Sequence, residues 1–409
     1  MSDAFFFRGP LPPSKSILIR YLLLQGYAPD LQPPWLSACD DVQVMQAAIA
    51  ALTARPSPSV ATPPIVEADC GEAGLVLRLC LAFAARRGGR YLLRGSPRLL
   101  ARPHGPLLQA LRMLGSQIEQ ASDGTGLTVD SPQGFQAPPQ PLSLLGGSSS
   151  QFASALLLNA WDLPFALDID IDAKPVSAGY LQMSLHIAQQ LGMTVQRTKT
   201  GRLHIPAGQR LQVRPTLAEA DVSSALAVVA IAAVAGSAHI TNFPLRSLQP
   251  DVRFLDLLSM MGVRLRLDDD GLRVEQPVRR ALRPIITSVA DCPDVVPVLA
   301  VLCSLAEGES LLHGAPHLRG KESDRIAETA ALLRLLGREV AELSDGLRIC
   351  GRPFEPADRA PRRSYHPGRD HRLVMAAAVA RWAGFAIEIH GQEAVDKSFP
   401  EFRQIALGT

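Results

Sequence analysis

Lysine is scarce in this chain, and where it occurs it sits mostly in polar runs that could handle anions or protons. Of 41 basic residues only five are lysines, Lys15, Lys174, Lys199, Lys321 and Lys397, and the other 36 are arginines. A compact, rotatable ammonium does things a planar guanidinium cannot, so lysines kept against such a bias mark positions of interest. Three of them lie beside apolar helical stretches: Ser14-Lys15-Ser16 followed by Arg20, Lys321-Glu322-Ser323-Asp324-Arg325, and Asp396-Lys397-Ser398. Singly, each run is an ordinary helix start. Together they point to an anion site assembled from distant parts of the chain.

Six loop-to-helix junctions combine small and polar residues in a way that suits phosphates or carboxylates, because free backbone N–H groups and the helix dipole both favour negative charge. They are Ser14-Lys15-Ser16, Gly71-Glu72-Ala73-Gly74, Gly146 to Gln151, Asp291-Cys292-Pro293-Asp294, Lys321 to Arg325, and Asp370-His371-Arg372. Ser, Asp and Gly are also common helix caps, and capping alone would account for Asp294. Lys321 and Arg325, four apart, share a face if the helix already includes Lys321, which turns Glu322 away from them and leaves Asp324 in a surface cluster. His371 reads as a polar core residue.

These junctions must be carried by a scaffold, and the scaffold shows as a repeat. Gly89 to Pro97, Gly236 to Pro244 and Gly308 to Pro316 share one layout. Each follows an apolar helical run (72–87, 221–235, 294–307) and precedes a second one ending at Gly115, Gly262 or Gly337. A weaker copy runs from Gln151 through the Leu167–Ile171 stretch and Pro175 to Gly192. The layout predicts helix, glycine cap, strand, turn at proline, helix, glycine cap, strand. Units of roughly 70 residues are αβ units that must pack together, and helices filled with Ala and Leu on nearly every face belong inside their domain.

Composition bounds the rest. A chain of 409 residues, 47% hydrophobic and 20% charged, should be globular with two or three domains. A net charge of +2 does not indicate a nucleic-acid stripe. The N-terminus does not read as a secretory signal, and no apolar stretch is long enough to span a membrane. Six scattered cysteines without a CxxC pair fit buried thiols in a reducing cytoplasm, not disulfides or zinc. Neither GxxxxGK[ST] nor GxGxxG occurs, so no nucleotide cofactor is expected.

Read in order from Leu11 to about Gln404, the junctions resemble the enolpyruvyl transferase family, within it the branch acting on shikimate 3-phosphate. The resemblance rests on Leu11-Pro12-Pro13-Ser14-Lys15-Ser16 with Arg20, Cys70 to Arg78, Arg102-Pro103, Gly147 to Phe152, Ser177-Ala178-Gly179-Tyr180, Pro293-Asp294, Lys321 to Arg325, Asp370-His371-Arg372 and Lys397-Ser398-Phe399-Pro400. It implies an inside-out α/β barrel fold of two similar domains, each of three αβ units with buried helices. One domain would be 1–13 plus 221–409 and the other 14–220, with the active site in the cleft between them.

The implied reaction moves the enolpyruvyl group of phosphoenolpyruvate to the 5-hydroxyl of shikimate 3-phosphate, with no metal or organic cofactor. By the same resemblance Lys15, Asp294 and Glu322 are catalytic. Lys15, Gly74, Arg102, Gln151, Arg325, Arg372 and Lys397 hold phosphoenolpyruvate. Lys15, Ser16, Arg20, Ser149, Ser150, Gln151, Ser177, Asp294, His317 and Lys321 hold shikimate 3-phosphate. A cytoplasmic monomer is implied, without nucleic acid or membrane partners, and glyphosate should compete with phosphoenolpyruvate because Gly74 is kept. Pro13, Glu72, Leu75, Gly179 and His317 depart from the family pattern. A related transferase using another cyclic alcohol, or a non-catalytic phosphometabolite-binding homologue, therefore stays open. The UDP-N-acetylglucosamine enolpyruvyl transferase is disfavoured, since no cysteine lies between 81 and 291 to supply its mobile-loop thiol.

Overall fold

The computed structural model describes residues 4–33, 37–54, 65–146, 149–173, 175–216, 219–274 and 282–408. Each repeat folds as strand, inner helix, strand, outer helix and antiparallel hairpin. In the first, Val66–Asp69 pairs in parallel with Gly89–Arg94 across the inner helix Gly74–Arg87. The outer helix Gly105–Met113 then leads to the hairpin of Gln117–Gln120 and Gly126–Ser131, which pairs antiparallel to Gly89–Arg94. Three more four-stranded sheets repeat this order, within 142–205, 286–351, and 5–9 with 236–274. A two-stranded parallel sheet, Arg363–Tyr365 with Ile387–Ile389, brackets the inner helix His371–Trp382.

The glycines that end the outer helices, Gly115, Gly262 and Gly337, have φ of +95°, +91° and +72°, conformations that a side chain would strain. The strand ahead of each inner helix was not anticipated from sequence. Val66–Asp69, Leu142–Leu144, Ile286–Ser288 and Arg363–Tyr365 are three or four residues long, too short to show an alternation.

The chain divides into two compact units, Met1–Ser14 with Glu219–Thr409, and Lys15–Ala218. In the first unit the inner helices Val222–Ala235, Val296–Ser304 and His371–Trp382 pack on one another, and all nine residues of Val296–Ser304 are buried. In the second, Lys15–Gln25, Gly74–Arg87 and Ser150–Leu158 do the same. Each large apolar side chain so buried contributes about 1.5–3 kcal/mol. The two segments at the unit boundary lie side by side: Ser14 N–H donates to Glu219 C=O at 2.8 Å and Asp221 N–H to Pro12 C=O at 2.8 Å. Among the described residues, no helix is long and apolar enough to cross a membrane. All six cysteines are free thiols, buried except for the half-buried Cys350.

The inner helices place the chemistry. Lys15, Gly74 and Ser150 are the first residues of the three inner helices of one unit. In the other, Asp294 lies two residues ahead of Val296–Ser304, and His371-Arg372 opens the third helix. Apolar helices buried on all faces thus leave their N-terminal ends as the polar part of each unit.

Candidate active site

In the unit 15–218 the first inner helix begins at Lys15, whose Nζ pairs with Asp41 Oδ2 at 2.8 Å. One turn on, Arg20 is 1% exposed. Its Nε donates to Ser184 Oγ at 2.7 Å, Nη1 to the Ser16 carbonyl at 2.6 Å and Nη2 to the Tyr180 carbonyl at 3.1 Å. All three acceptors are neutral. Burial without a carboxylate partner lowers the Arg20 pKa to about 10, opposed only by Tyr180.

Ser177 lies two residues ahead of Gly179 and is 7% exposed, with left-handed backbone, φ 55° and ψ 45°. A non-glycine residue held there costs on the order of 1 kcal/mol, strain that gathers at functional sites. Ser149 caps the third inner helix, its Oγ accepting from Gln151 N–H at 3.4 Å. The Gln151 amide oxygen accepts from Arg78 Nη1, and Arg78 Nη2 donates to the Pro103 carbonyl at 3.2 Å. The Arg78 guanidinium lies 4.9 Å from the Phe152 ring centroid. Arg102 is packed against Gly74, where an added Cβ would meet its Nη1 at 2.8 Å. Gly147, Ser148 and Lys174 lie outside the described residues, and Lys199 is in an exposed turn.

In the other unit Arg325 is the hub. It is 1% exposed and surrounded by carboxylates. Nε and Nη2 reach Asp370 at 2.9 and 3.2 Å, Nη1 reaches Asp294 at 2.8 Å, and Nη2 reaches Glu322 at 3.0 Å. Lys321 Nζ lies 3.3 Å and Arg372 Nη2 3.5 Å from Asp294. Burial alone would raise the Asp294 pKa, but Lys321, Arg325, Arg372 and His371 hold it well below the usual carboxylate range. Burial would lower the Arg325 pKa, yet Asp370, Glu322 and Asp294 carry it well above its ordinary value. Burial, reinforced by Lys321 and Arg325 against the pull of Asp294, lowers the His317 pKa to about 4. Lys397 is 6% exposed, in a turn packed on the His371–Trp382 helix.

Three expectations need correction. The helix after Lys321 starts only at Arg325, because Asp324 caps it by accepting from Ala327 N–H at 3.1 Å; Lys321 lies ahead of the first turn. Glu322 is not turned away from Arg325 but paired with it. Asp294 is no cap: its carboxylate serves the three cations, and the helix start at Val295 has no side-chain cap. Three further residues were given no role from sequence. Asp41 stands behind Lys15, Arg78 joins Gln151 to the Arg102-Pro103 segment, and Asp370 takes Arg325 in two bonds while capping the helix that bears Arg372, through Arg372 N–H at 3.0 Å. Arg78 and Asp370 lie inside the motifs already singled out. Asp41 shows only as an acid in the first turn of the helix Asp40–Thr53.

Among the described residues no group of three or more His, Cys, Asp or Glu could hold a metal ion. The geometry offers instead buried cations for small anions and carboxylates for moving protons.

Comparison with known proteins bears on which anions these are. A family model described as EPSP synthase (3-phosphoshikimate 1-carboxyvinyltransferase) matches residues 39–405. A 3-phosphoshikimate 1-carboxyvinyltransferase of Syntrophobacter fumaroxidans is 34% identical, over 96% of this chain and 94% of the relative. One of Halobacterium salinarum is 35% identical, over 98% and 96%. In fold, the chain is similar to EPSP synthase from Acinetobacter baumannii, with a TM-score of 0.72 at 21% identity, covering 99% and 96% of the two chains. It is also similar to the enolpyruvyl transferase NikO from Streptomyces tendae, with a TM-score of 0.68 at 15% identity, covering 100% and 95%.

Proposed function

The chain belongs to the EPSP synthase family, and from that premise we propose that its two polar clusters carry out the 3-phosphoshikimate 1-carboxyvinyltransferase reaction, their cations holding the anions and Asp294, Glu322 and Lys15 moving the protons. In that reaction the enolpyruvyl group of phosphoenolpyruvate passes to the 5-hydroxyl of shikimate 3-phosphate, and phosphate leaves. The observation that carries the reading is Arg20: a fully buried guanidinium whose bonds, among the described residues, all go to neutral oxygens is suited to an incoming anion. The phosphate of shikimate 3-phosphate supplies it, with Ser16, Ser149, Ser150 and Ser177 around it and Gln151 beside the ring. Arg102, Arg325, Arg372 and Lys397 hold the carboxylate and phosphate of phosphoenolpyruvate, charges that planar guanidinium forks match two bonds at a time.

Proton transfer falls to the carboxylates and to Lys15. Asp294, the carboxylate at the matching family position, takes the proton of the 5-hydroxyl as that oxygen attacks C2. The Lys15 ammonium protonates C3 in the addition, and Glu322 removes a proton from C3 as the tetrahedral adduct expels phosphate. The proton that Glu322 takes from C3 returns to Lys15 through solvent, and the hydroxyl proton passes from Asp294 to the leaving phosphate, so all three groups end as they began. The buried, unbridged thiols support the reading of a cytoplasmic protein, expected to act as a monomer.

Phosphate release from phosphoenolpyruvate, measured with and without shikimate 3-phosphate, tests the reading. Release should require both substrates, and Glu322→Gln and Lys15→Met should each lower kcat by about 10²–10⁴-fold. Release that is independent of shikimate 3-phosphate, or unchanged in both variants, overturns it.

A further inference from the structure

His104 follows the Arg102-Pro103 pair and has drawn no role so far. It is 6% exposed and opens the outer helix Gly105–Met113 as its N-cap residue, without a side-chain capping bond. Its Nε2 instead lies 3.0 Å from the Leu99 carbonyl. That carbonyl also accepts the Arg102 backbone N–H, at 3.2 Å. One oxygen therefore holds both the ring of His104 and the main chain of Arg102.

The contact fixes the tautomer. Nε2 carries the hydrogen and donates, and Nδ1, a buried lone pair, has no hydrogen-bond partner among the described residues. Burial, with the Arg78 and Arg102 guanidinium groups adding to it against the Leu99 bond, lowers the His104 pKa to about 4, so the ring is a neutral donor at ordinary pH. The rest of the segment is tied down on both sides. Ser96 N–H donates to the Gly71 carbonyl at 2.8 Å, Ser96 Oγ caps the Pro97–Leu100 turn through Leu99 N–H at 3.2 Å, and Arg78 holds the Pro103 carbonyl. The chain of bonds runs from the glycine loop to Gln151, and His104 closes it at Arg102.

We propose that His104 is a positioning residue for Arg102, its Nε2–H clamping the Leu99 carbonyl so that the guanidinium is set against Gly74. The inference rests on the reading that Arg102 holds phosphoenolpyruvate. A side chain of similar bulk without the donor removes the ring's hold on the carbonyl, leaves it only to main-chain N–H groups and lets the Arg102 segment drift, which affects the donor substrate and not the acceptor.

The test is steady-state kinetics of the full chain for His104→Met and His104→Gln, with Arg102→Lys alongside. His104→Met should raise KM for phosphoenolpyruvate by about tenfold, leave KM for shikimate 3-phosphate within about twofold, and speed hydrogen exchange at the Arg102 amide. His104→Gln, whose amide reaches the same carbonyl, should recover most of the loss. If His104→Met does not fold, His104→Asn takes its place, because the shorter amide falls short of Leu99. Both KM values unchanged, both rising together, or no recovery in His104→Gln overturns the inference. If Arg102→Lys leaves KM for phosphoenolpyruvate unchanged, the reading of Arg102 has failed; if Arg102→Lys raises it and His104→Met does not, the inference alone has failed.

Discussion

The two units treat buried cations in opposite ways. In the unit built from 219–409 with the N-terminal strand, Arg325 is enclosed by Asp294, Glu322 and Asp370, and its charge is balanced before any ligand arrives. In the unit 15–218, Arg20 donates, among the described residues, to hydroxyl and carbonyl oxygens, Arg78 donates to the Gln151 amide and the Pro103 carbonyl, and Lys15 pairs with Asp41. The pKa shifts follow: Arg20 is lowered to about 10, whereas Arg325 is raised well above its ordinary value. A balanced cluster holds carboxylates ionised at set positions, and an unbalanced one waits for a phosphate. Similar scaffolds thus present different chemistry at their inner-helix ends.

The sharpest way to break this contrast is to remove one arginine from each unit. Arg325→Met leaves Asp370, itself 1% exposed, without its cation, and should cost about 3–5 kcal/mol of stability. Arg20→Met removes a buried charge that no carboxylate among the described residues pairs with, so the ligand-free protein should be as stable as wild type or more so. Its KM for shikimate 3-phosphate should nevertheless rise about 10²-fold, from lost charge-assisted bonds. Denaturant unfolding and kinetics read both. Equal destabilisation by the two changes would show that the units do not differ in charge balance.

Next in size are the lysines. Lys15→Arg, Lys321→Arg and Lys397→Arg keep the charge but replace a point donor by a broad fork in buried or half-buried places, and each should lower kcat/KM by about 10²-fold. Lys199→Arg, in an exposed turn, should leave it within about twofold. A loss confined to Lys15 or to the pair Lys321 and Lys397 would mean that only one unit depends on a compact ammonium.

The repeat was legible because its marks are local. Apolar residues, chiefly Ala and Val, on nearly every face of Val222–Ala235 and the glycines at 115, 262 and 337 follow from rules a sequence displays directly. Proximity was legible where a motif keeps its residues together, as with Lys321, Glu322 and Arg325, which meet in the cluster around Asp294. What escaped were relations that packing makes. Asp41 meets Lys15 across 26 residues, Asp370 meets Arg325 across 45, and Arg78 meets Gln151 across 73. The condition that the helix include Lys321 fails because one capping bond, from Ala327 N–H to Asp324, decides the start, and the capping alternative for Asp294 could not be weighed in sequence because the cations its carboxylate meets come from other elements.

The smallest expected effect is one on which the two units agree. His104 and His317 are both lowered to about 4, from an ordinary value of 6.5, and burial leads in each. Beside His104 the charges are Arg78 and Arg102, both pushing the same way; beside His317, Asp294 offsets part of the push from Lys321 and Arg325. A histidine whose folded pKa is depressed contributes stability that is fully present above the unfolded value and lost as pH falls toward the folded one. Between pH 6.5 and 4 the unfolded chain binds more protons, so stability falls with pH, by about 1–2 kcal/mol per histidine after allowance for solvent screening. Asp294, whose folded pKa lies well below its ordinary value of 3.8, begins to add its own loss at the lower end of that window and continues below it. Urea unfolding at steps from pH 7 to 4 should therefore show a total loss of stability that is smaller by about 1–2 kcal/mol in His104→Gln and by a similar amount again when His317→Asn is added. If either change leaves the loss as it was, that histidine is solvated in solution and the electrostatic surroundings drawn for its unit are wrong.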